Sequence, residues 1–148
     1  MNYWLMKSEP DSFSWQQQVE NVIEPWTGIR SHQAKKNLQA MKTGDRAFFY
    51  HSNIGKEIVG VVEVVREAYA DPTADTEAWV CVDVKAIGPM PTAVTLVAIK
   101  ADPEFEQLAL VRQSRLSVVP VTEAHWQRLC KLGGWRDGTA RSSQRAKA

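Results

Sequence analysis

The sequence predicts an α+β fold in which a barrel of short strands is flanked by helices. Two observations lead to this prediction. Segments with the residue pattern of strands fill the first two thirds of the 148 residues, while helical patterns lie between and after them. Glycine and proline turns separate the short strands, which favours a barrel over an open sheet. A chain of this length fits one domain with its own hydrophobic core.

The strands are predicted from runs of apolar and β-branched residues. In chain order they are Asn2–Lys7, Ala47–His51, Glu57–Tyr69, Ala78–Ile87 and Leu116–Val121. The strand Glu57–Tyr69 carries valine or isoleucine on both of its faces, so we expect it to be covered on both sides. The segment Gly88-Pro89-Met90-Pro91 is predicted to end the run of strands.

Helices are predicted where a capping residue precedes an apolar stripe of helical spacing. They run from a cap at Asp11 or Ser12 to Gln18, from His32 to Met41 after a Ser31 cap, from Thr95 to Lys100, from Pro103 to Ala109, and from a Thr122 cap to Gly133. Residues 21–30 are predicted to be a loop, because Pro25 and Gly28 interrupt any helical or strand period.

Composition excludes several classes of protein. The net charge is +1, and no apolar run reaches the roughly 18 residues that a transmembrane helix needs. The first residues lack the basic region and apolar core of a secretory signal, so a cytoplasmic location is expected. Only Cys81 and Cys130 are present, which suits a reducing compartment, and the three histidines are scattered. Neither a metal nor a cofactor is therefore predicted.

The last residues differ in composition from the rest of the chain. Residues 136–148 are nearly free of apolar side chains and carry four lysines or arginines against one aspartate. They are predicted to form a disordered basic tail, because such a segment has too little apolar surface to bury. Residues 1–135 are then the folded domain.

The segment from Trp26 to Ser52 combines an aromatic ring, cations and small polar groups. Trp26 lies in a loop with proline and glycine, and Arg30, Lys35 and Lys36 follow it. A flat π-face with nearby cations is what a protein needs to hold a nucleobase and its phosphates. Two simpler interpretations stay open: Trp26 as a latch on the core, and the lysines as a solvated helix face. Of the other tryptophans, those in strand or helix patterns are expected in the core: Trp4, Trp79 and Trp126.

Polar residues at other strand ends could complete such a site. Lys7 and Ser8 leave the first strand, and Asp71 follows another, although ordinary turn chemistry also explains these residues. His51 and Ser52 are adjacent on a strand and point to opposite faces, which argues against a pair of base and nucleophile.

Charged residues in and near the strands have more than one possible partner. Glu63 interrupts an apolar strand and is expected either to be paired or to face a pocket. Arg112 and Arg115 precede the last strand, where they could pair with Glu63 or Asp71 or bind a phosphate. The sequence leaves these alternatives open.

The chain resembles the EVE domain family through several separated motifs in one order. They are YWLMKSEPDSFSW at residues 3–15, WTGIRSHQAKKNLQAMKTGD at 26–45, FFYHS at 48–52, IVGVVEVV at 58–65, AYADPT at 68–73 and LVRQSRLSVVPVTEAHW at 110–126. The resemblance implies a PUA-like fold, a small curved β-barrel with flanking helices that is related to YTH domains. It also implies binding of modified bases.

The resemblance further implies roles for individual residues. Trp26 would be a pocket wall on which the base stacks. The residues bordering that pocket would be Lys7, Ser8, His51, Ser52 and Asp71. The charge pattern after Trp26, rather than the resemblance, predicts that Arg30, Lys35 and Lys36 hold phosphates. The family usually has Val-Arg-Asn and an aromatic where this chain has Ile29-Arg30-Ser31-His32, so the asparagine amide that could pair with a base edge is replaced.

The expected function is non-catalytic binding of a modified nucleobase, such as methylated or hydroxymethylated cytosine, in DNA or RNA. An enzyme acting on a modified base or small metabolite, with His51 or Asp71 as general base, is the alternative. A protein-interaction module with a basic face is a third interpretation. No membrane partner is expected, and the sequence carries no signal of the oligomeric state.

Overall fold

Six strands pair into one sheet in a computed structural model that describes residues 1–136. The strands are β1 (Tyr3–Ser8), β2 (Ile23–Pro25), β3 (Arg46–His51), β4 (Glu57–Ala70), β5 (Val80–Thr95) and β6 (Val118–Val121). Their order in the sheet is β2-β5-β4-β3-β1-β6. Only β1 and β3 pair in parallel, whereas the other neighbours are antiparallel. The predicted tail lies outside the described residues except for Arg136.

The sheet does not close into the barrel that the sequence predicts. Its two outer strands, β2 and β6, pair with one neighbour each and not with one another. Both are short, and each contains a proline, Pro25 in β2 and Pro120 in β6. Proline has no N–H to donate to a further strand, so these are natural edges. The α+β class is confirmed, and the closed barrel is wrong.

Five α-helices flank the sheet in the described part of the chain. They are α1 (Trp15–Asn21), α2 (His32–Ala40), α3 (Leu96–Ala101), α4 (Ala109–Arg112) and α5 (Glu123–Gly133), with a 3₁₀ helix at Pro103–Phe105. The predicted caps of α2 and α5 are confirmed, because the Ser31 and Thr122 hydroxyls accept from Ala34 and His125 N–H. No helix within residues 1–136 is long and apolar enough to cross a bilayer.

Several element boundaries differ from the prediction. The helix predicted from Pro103 to Ala109 is wrong, because that segment forms only the 3₁₀ turn at Pro103–Phe105, and α4 begins at Ala109. Helix α1 begins after Ser14 rather than after Asp11 or Ser12, because Ser14 and Gln17 form a capping box. The predicted loop at residues 21–30 contains β2. Strand β5 continues through Gly88–Pro91 to Thr95, and shifts in register along the β4–β5 pair accommodate its irregular segments.

Adjacent residues of β3 divide the core into two halves. Phe48 stacks on Trp126 of α5, with ring centroids 4.0 Å apart. Phe49 points to the opposite face and packs against Trp15 at 5.3 Å and Trp26 at 5.5 Å, edge to face in both cases. The central strands are thus covered on both sides, as expected, and the face that carries Phe49 is the one that supports the site.

The tryptophans and Glu63 now have definite surroundings. Trp4 and Trp126 lie in the core as predicted, whereas Trp79 is only partly buried and stands outside it. Glu63 of β4 pairs with Arg46 of β3 at 3.0 Å, the two being opposite each other in register. The ion pair with Arg46 on the neighbouring strand therefore explains why β4, which is otherwise apolar, contains Glu63.

Replacement of Gly60 by alanine tests how closely α1 packs on β4. A Cβ at Gly60 would lie 2.5–2.6 Å from three ring atoms of Trp15. We expect Gly60→Ala to lower the free energy of unfolding by about 1–3 kcal/mol, as overpacking does. Chemical denaturation of the variant alone and in a Trp15→Leu background measures this. An equal loss in both backgrounds would contradict the contact.

Candidate functional site

A cleft of about 670 Å³ opens between the end of β1 and the loop that follows β2. We call it the main cleft. Four stretches of chain and Ser52 line it: residues 7–9 at the end of β1, residues 12–13 after it, residues 24–30 around Trp26, and residues 114, 115 and 117 before β6. Its wall combines an indole with hydroxyl, carboxylate and guanidinium groups.

Trp26 belongs both to the wall of the main cleft and to the core. Its backbone N–H donates to the Val82 carbonyl at 2.7 Å, which fixes it beside β5. Phe13 and Phe49 contact the indole edge to face, with ring centroids at 6.1 and 5.5 Å. Only 6% of the residue is exposed. Trp26 is therefore a latch on the core that also presents a small part of its surface to the cleft.

The loop after Trp26 is held by the buried carboxylate of Asp71. One oxygen, Oδ2, accepts from Gly28 N–H at 2.8 Å and Arg30 Nη1 at 3.0 Å. The other, Oδ1, accepts from the backbone N–H and the hydroxyl of Thr73, both at 2.7 Å. Gly28 has φ +85°, a conformation that favours glycine. Asp71 thus shapes the loop from behind and does not line the cleft.

The surroundings of Asp71 also fix its charge. Burial alone would raise the pKa of the carboxyl group, but the hydrogen bonds from Thr73, Gly28 and Arg30 outweigh burial and lower the pKa to about 2. The side chain is fully buried, and Arg30 forms an ion pair with it. Asp71 is therefore an anchor that is ionised near neutral pH.

Lys7, Ser8 and Ser52 all line the main cleft, at the ends of β1 and β3. The Ser8 hydroxyl donates to the Phe13 carbonyl at 2.6 Å, and the Ser8 carbonyl accepts from Ser52 N–H at 2.9 Å. The Lys7 ammonium donates to the Ser114 carbonyl at 2.8 Å, and burial lowers its pKa. The Ser52 hydroxyl makes no hydrogen bond within residues 1–136. It is available to a ligand.

His51 does not reach the main cleft, unlike its neighbour Ser52. Its Nε2 accepts from the Trp15 backbone N–H at 3.0 Å, and its ring packs edge to face on Phe49 at 5.7 Å. Burial lowers the pKa of the imidazole, while the nearby Glu57 charge opposes this. His51 therefore fixes the start of α1 and does not line the cleft.

The predicted phosphate ligands lie in different surroundings. Arg30 lines the main cleft, but its charge is matched by Asp71, and three of its five N–H groups are already bonded, to Ile29, Asp71 and Thr73. Lys35 and Lys36 lie on α2 outside the cleft. Lys36 is exposed, whereas the Lys35 ammonium lies 5.7 Å from the Trp79 ring centroid.

Arg115 is the cation that the sequence did not assign. It lines the main cleft, is exposed, and makes no ion pair or hydrogen bond within the described chain. Glu63 and Asp71, its two sequence-based partners, are paired with Arg46 and Arg30 instead. The Lys7–Ser114 bond brings this segment to the cleft across 107 positions of sequence, a proximity that no local pattern reveals.

The arrangement suits binding of a planar ring with polar groups at its edge. An aromatic wall, free hydroxyls and an unpaired guanidinium surround the space. Glu9 and Glu24 add carboxylate acceptors at the rim. Within residues 1–136, no group of three His, Cys, Asp or Glu residues is arranged to hold a metal ion.

The chain is similar in sequence to curated and solved relatives. It is 33% identical to mouse thymocyte nuclear protein 1 over 165 aligned positions, covering 88% of this chain and 73% of the mouse protein. An NMR structure of a Rhodopseudomonas palustris protein shares 55% identity and a TM-score of 0.86, covering 90% of this chain and 94% of that one.

Two further solved structures contain nucleic acid. The crystal structure of human THYN1 protein in complex with 5-methylcytosine containing DNA has a TM-score of 0.84 and 29% identity, covering 93% of this chain and all of that one (100%). A YTH domain of Zygosaccharomyces rouxii MRB1 protein, in complex with N6-methyladenosine RNA, has a TM-score of 0.58 at 16% identity, covering 89% and 86% of the two chains. The second likeness concerns the fold.

A protein-family model described as the EVE domain matches residues 2–132. This match spans every strand of the sheet and almost all of α5. It also contains every residue that lines the main cleft. The chain belongs to the EVE domain family.

Proposed function

We propose that the chain binds a modified nucleobase of DNA or RNA in the main cleft and performs no chemistry on it. The observation that carries the proposal is the cleft itself, a space of about 670 Å³ with the Trp26 indole in its wall and free polar groups at its rim. The human relative whose complex contains 5-methylcytosine DNA shares the fold over nearly the whole chain. The open sheet is, in this proposal, a variant of the PUA-like fold.

The base would enter the cleft as an extruded or single-stranded nucleotide. A base stacked inside a duplex cannot reach a pocket of this kind, so it must leave the stack first. The ring would lie against Trp26 and displace water from the Phe13 side of the cleft. The Ser52 hydroxyl would hydrogen-bond to the edge of the base, and the Ser8 oxygen, whose hydrogen goes to the Phe13 carbonyl, would accept from it.

Phosphates would be held by the cations at the rim. Arg115 is the strongest candidate, because it is exposed and unpaired in the described chain. Arg30 would contribute through its two unbonded N–H groups rather than through net charge, since Asp71 neutralises it. Lys35 and Lys36 would add a longer-range attraction that depends on salt.

The two residues on which the enzyme alternative depends, Asp71 and His51, do not suit general-base catalysis in the cleft. Asp71 accepts four hydrogen bonds, and its pKa of about 2 makes it a poor general base near neutral pH. His51 uses Nε2 to accept from Trp15 and lies outside the cleft. The protein-interaction alternative would use the same basic residues as the nucleobase proposal, but it gives no role to the cleft. The cytoplasmic location stays a prediction.

Substitution of Trp26 tests the stacking wall. Stacking of a base on an aromatic side chain contributes about 1–3 kcal/mol, so Trp26→Ala should weaken binding of a 5-methylcytosine oligonucleotide by roughly 5- to 150-fold in Kd. Calorimetric titration of single-stranded DNA with one modified base measures this. Because Trp26 also packs on Phe13 and Phe49, Trp26→Phe keeps a ring in the core and should weaken binding less.

The same titration distinguishes the three interpretations. The proposal is overturned if wild type and both Trp26 variants bind with equal affinity while circular dichroism shows that all of them are folded. Turnover of the modified base by wild type would favour the enzyme. Salt-sensitive binding of an acidic peptide, with no binding of the oligonucleotide, would favour the interaction module.

Arg115 is expected to control the salt dependence of binding. Loss of one phosphate contact reduces the slope of log Kd against log salt by about 0.7–0.9. Arg115→Gln should therefore bind more weakly at low salt and show a shallower slope. Lys131→Gln, an exposed lysine on α5, is the matched control and should follow wild type. Equal slopes for wild type and Arg115→Gln would contradict this assignment.

Asp71 is expected to make stability depend on pH in the acid range. Its pKa is lower in the folded chain, about 2, than the ordinary 3.8, so the ionised carboxylate stabilises the fold above pH 3.8. This stabilisation, about 2 kcal/mol, is lost as the pH falls through 2. Asp71→Asn should therefore be less stable than wild type at pH 7, and the difference should shrink between pH 4 and 2.

Urea denaturation at several pH values measures the effect of Asp71→Asn. The exposed Asp75 on the same loop offers a matched Asp75→Asn control, which should track wild type throughout. If the difference in free energy of unfolding between wild type and Asp71→Asn stays constant from pH 7 to 2, the charge of Asp71 is not the stabilising feature.

A further inference from the structure

Trp79 carries an unexpected stack of rings outside the core. It lies just before β5 and is only partly buried, although its position in a strand pattern predicts a core residue. The imidazole of His32, the first residue of α2, stacks on it with ring centroids 5.0 Å apart and an interplanar angle of 29°. His32 is exposed, so part of its imidazole is accessible to another planar group.

Two cations lie beside the same indole. The Arg30 guanidinium is 6.0 Å and the Lys35 ammonium 5.7 Å from the Trp79 ring centroid. Both distances fit cation–π contacts, which hold the two charges near the stack. An open aromatic face with cations at its edge is the combination that binds single-stranded nucleotides.

The stack is joined to the main cleft through Arg30 and Asp71. Arg30 lines the cleft and at the same time contacts Trp79. The Asp71 backbone N–H donates to the Trp79 carbonyl at 2.9 Å, while its carboxylate holds Gly28 and Arg30. One anchor therefore fixes both the cleft loop and the stack, so their separation is set by the fold.

A structural role alone does not account for the exposure of the two rings. Trp79 is absent from the packed core, and the first turn of α2 already has its cap in Ser31. An aromatic pair placed only for stability would gain most by being buried. Here the outer ring is exposed, and the Lys35 ammonium beside the stack makes no ion pair within residues 1–136.

We propose that the His32–Trp79 stack is a second nucleotide subsite. It would take the base of the nucleotide next to the one in the main cleft, with Lys35 and the free N–H groups of Arg30 near the phosphate that joins them. The chemical class is a single-stranded nucleotide, recognised by stacking and therefore without strong preference among bases. This inference rests on the proposed function and adds a second point of contact to it.

The test compares one nucleotide with three. The probes are 5-methyl-2′-deoxycytidine 5′-monophosphate, a single-stranded trinucleotide with that base at its centre, and the same trinucleotide with abasic flanks. Wild type, His32→Ala, His32→Phe and the control Lys131→Gln are titrated with each. We expect His32→Ala to weaken trinucleotide binding by roughly 5-fold or more and to leave mononucleotide binding within 2-fold.

Two further results are expected if the flanking base stacks on His32. His32→Phe should restore trinucleotide binding, because a phenyl ring keeps the stacking face. Wild type should bind the trinucleotide with abasic flanks as weakly as His32→Ala binds the intact trinucleotide. His32→Ala should bind the abasic probe no more weakly than wild type does.

Each contrary outcome overturns either the second subsite alone or the subsite together with the proposed function. If His32→Ala leaves trinucleotide binding unchanged, or if His32→Phe does not restore it, the second subsite is removed and the proposed binding in the main cleft stands. Equal weakening of mononucleotide and trinucleotide binding means that His32 acts through the cleft, which also removes the subsite. Failure of wild type to bind any of the three probes overturns both this inference and the proposed function for this base.

Discussion

The candidate site depends on one buried anion, the carboxylate of Asp71. A charge removed from water must be compensated by hydrogen bonds and a counter-ion, and Asp71 receives both from Thr73, Gly28 and Arg30. Because all its oxygens are bonded, the loop after Trp26 has little freedom to take another path. The backbone of the same residue reaches Trp79. The walls of the main cleft and the aromatic stack beside it are thus positioned by a group that does not itself line the cleft.

A second constraint comes from the alternation of side chains along β3. Phe48 faces α5 and builds a core that is remote from the cleft, whereas Phe49 faces Trp15, Phe13 and Trp26. The aromatic wall therefore rests on the sheet itself and not on a flexible loop. Preorganisation of this kind reduces the entropy that a ligand must remove on binding. It also explains why the indole is mostly covered: its edges support the site, and only a small part of it meets the cleft.

Local patterns predicted those features that depend on neighbouring residues in sequence. The caps Ser31 and Thr122 and the buried faces of β4 follow from spacing and capping chemistry. The grouping of Lys7, Ser8 and Ser52 came from the family resemblance instead. Features set by distant partners were missed. Strand β2 is too short to show a period, and the open sheet depends on which edges meet. Asp71, His51 and Arg115 acquired their surroundings through contacts across the fold, so sequence alone placed the first two in the pocket and left the third unassigned.

The unbonded hydroxyls at the rim of the main cleft have a consequence for divergence among relatives. Ser52 and Ser117 line the cleft yet make no side-chain hydrogen bond within residues 1–136, so exchanging them disturbs no internal partner. Trp26 and Asp71, in contrast, are tied to the rest of the fold. Under the proposed function, substitutions at Ser52 or Ser117 would change the hydrogen bonds offered to a base while leaving the internal contacts of the fold intact. Base preference and stability would then be determined by different residues.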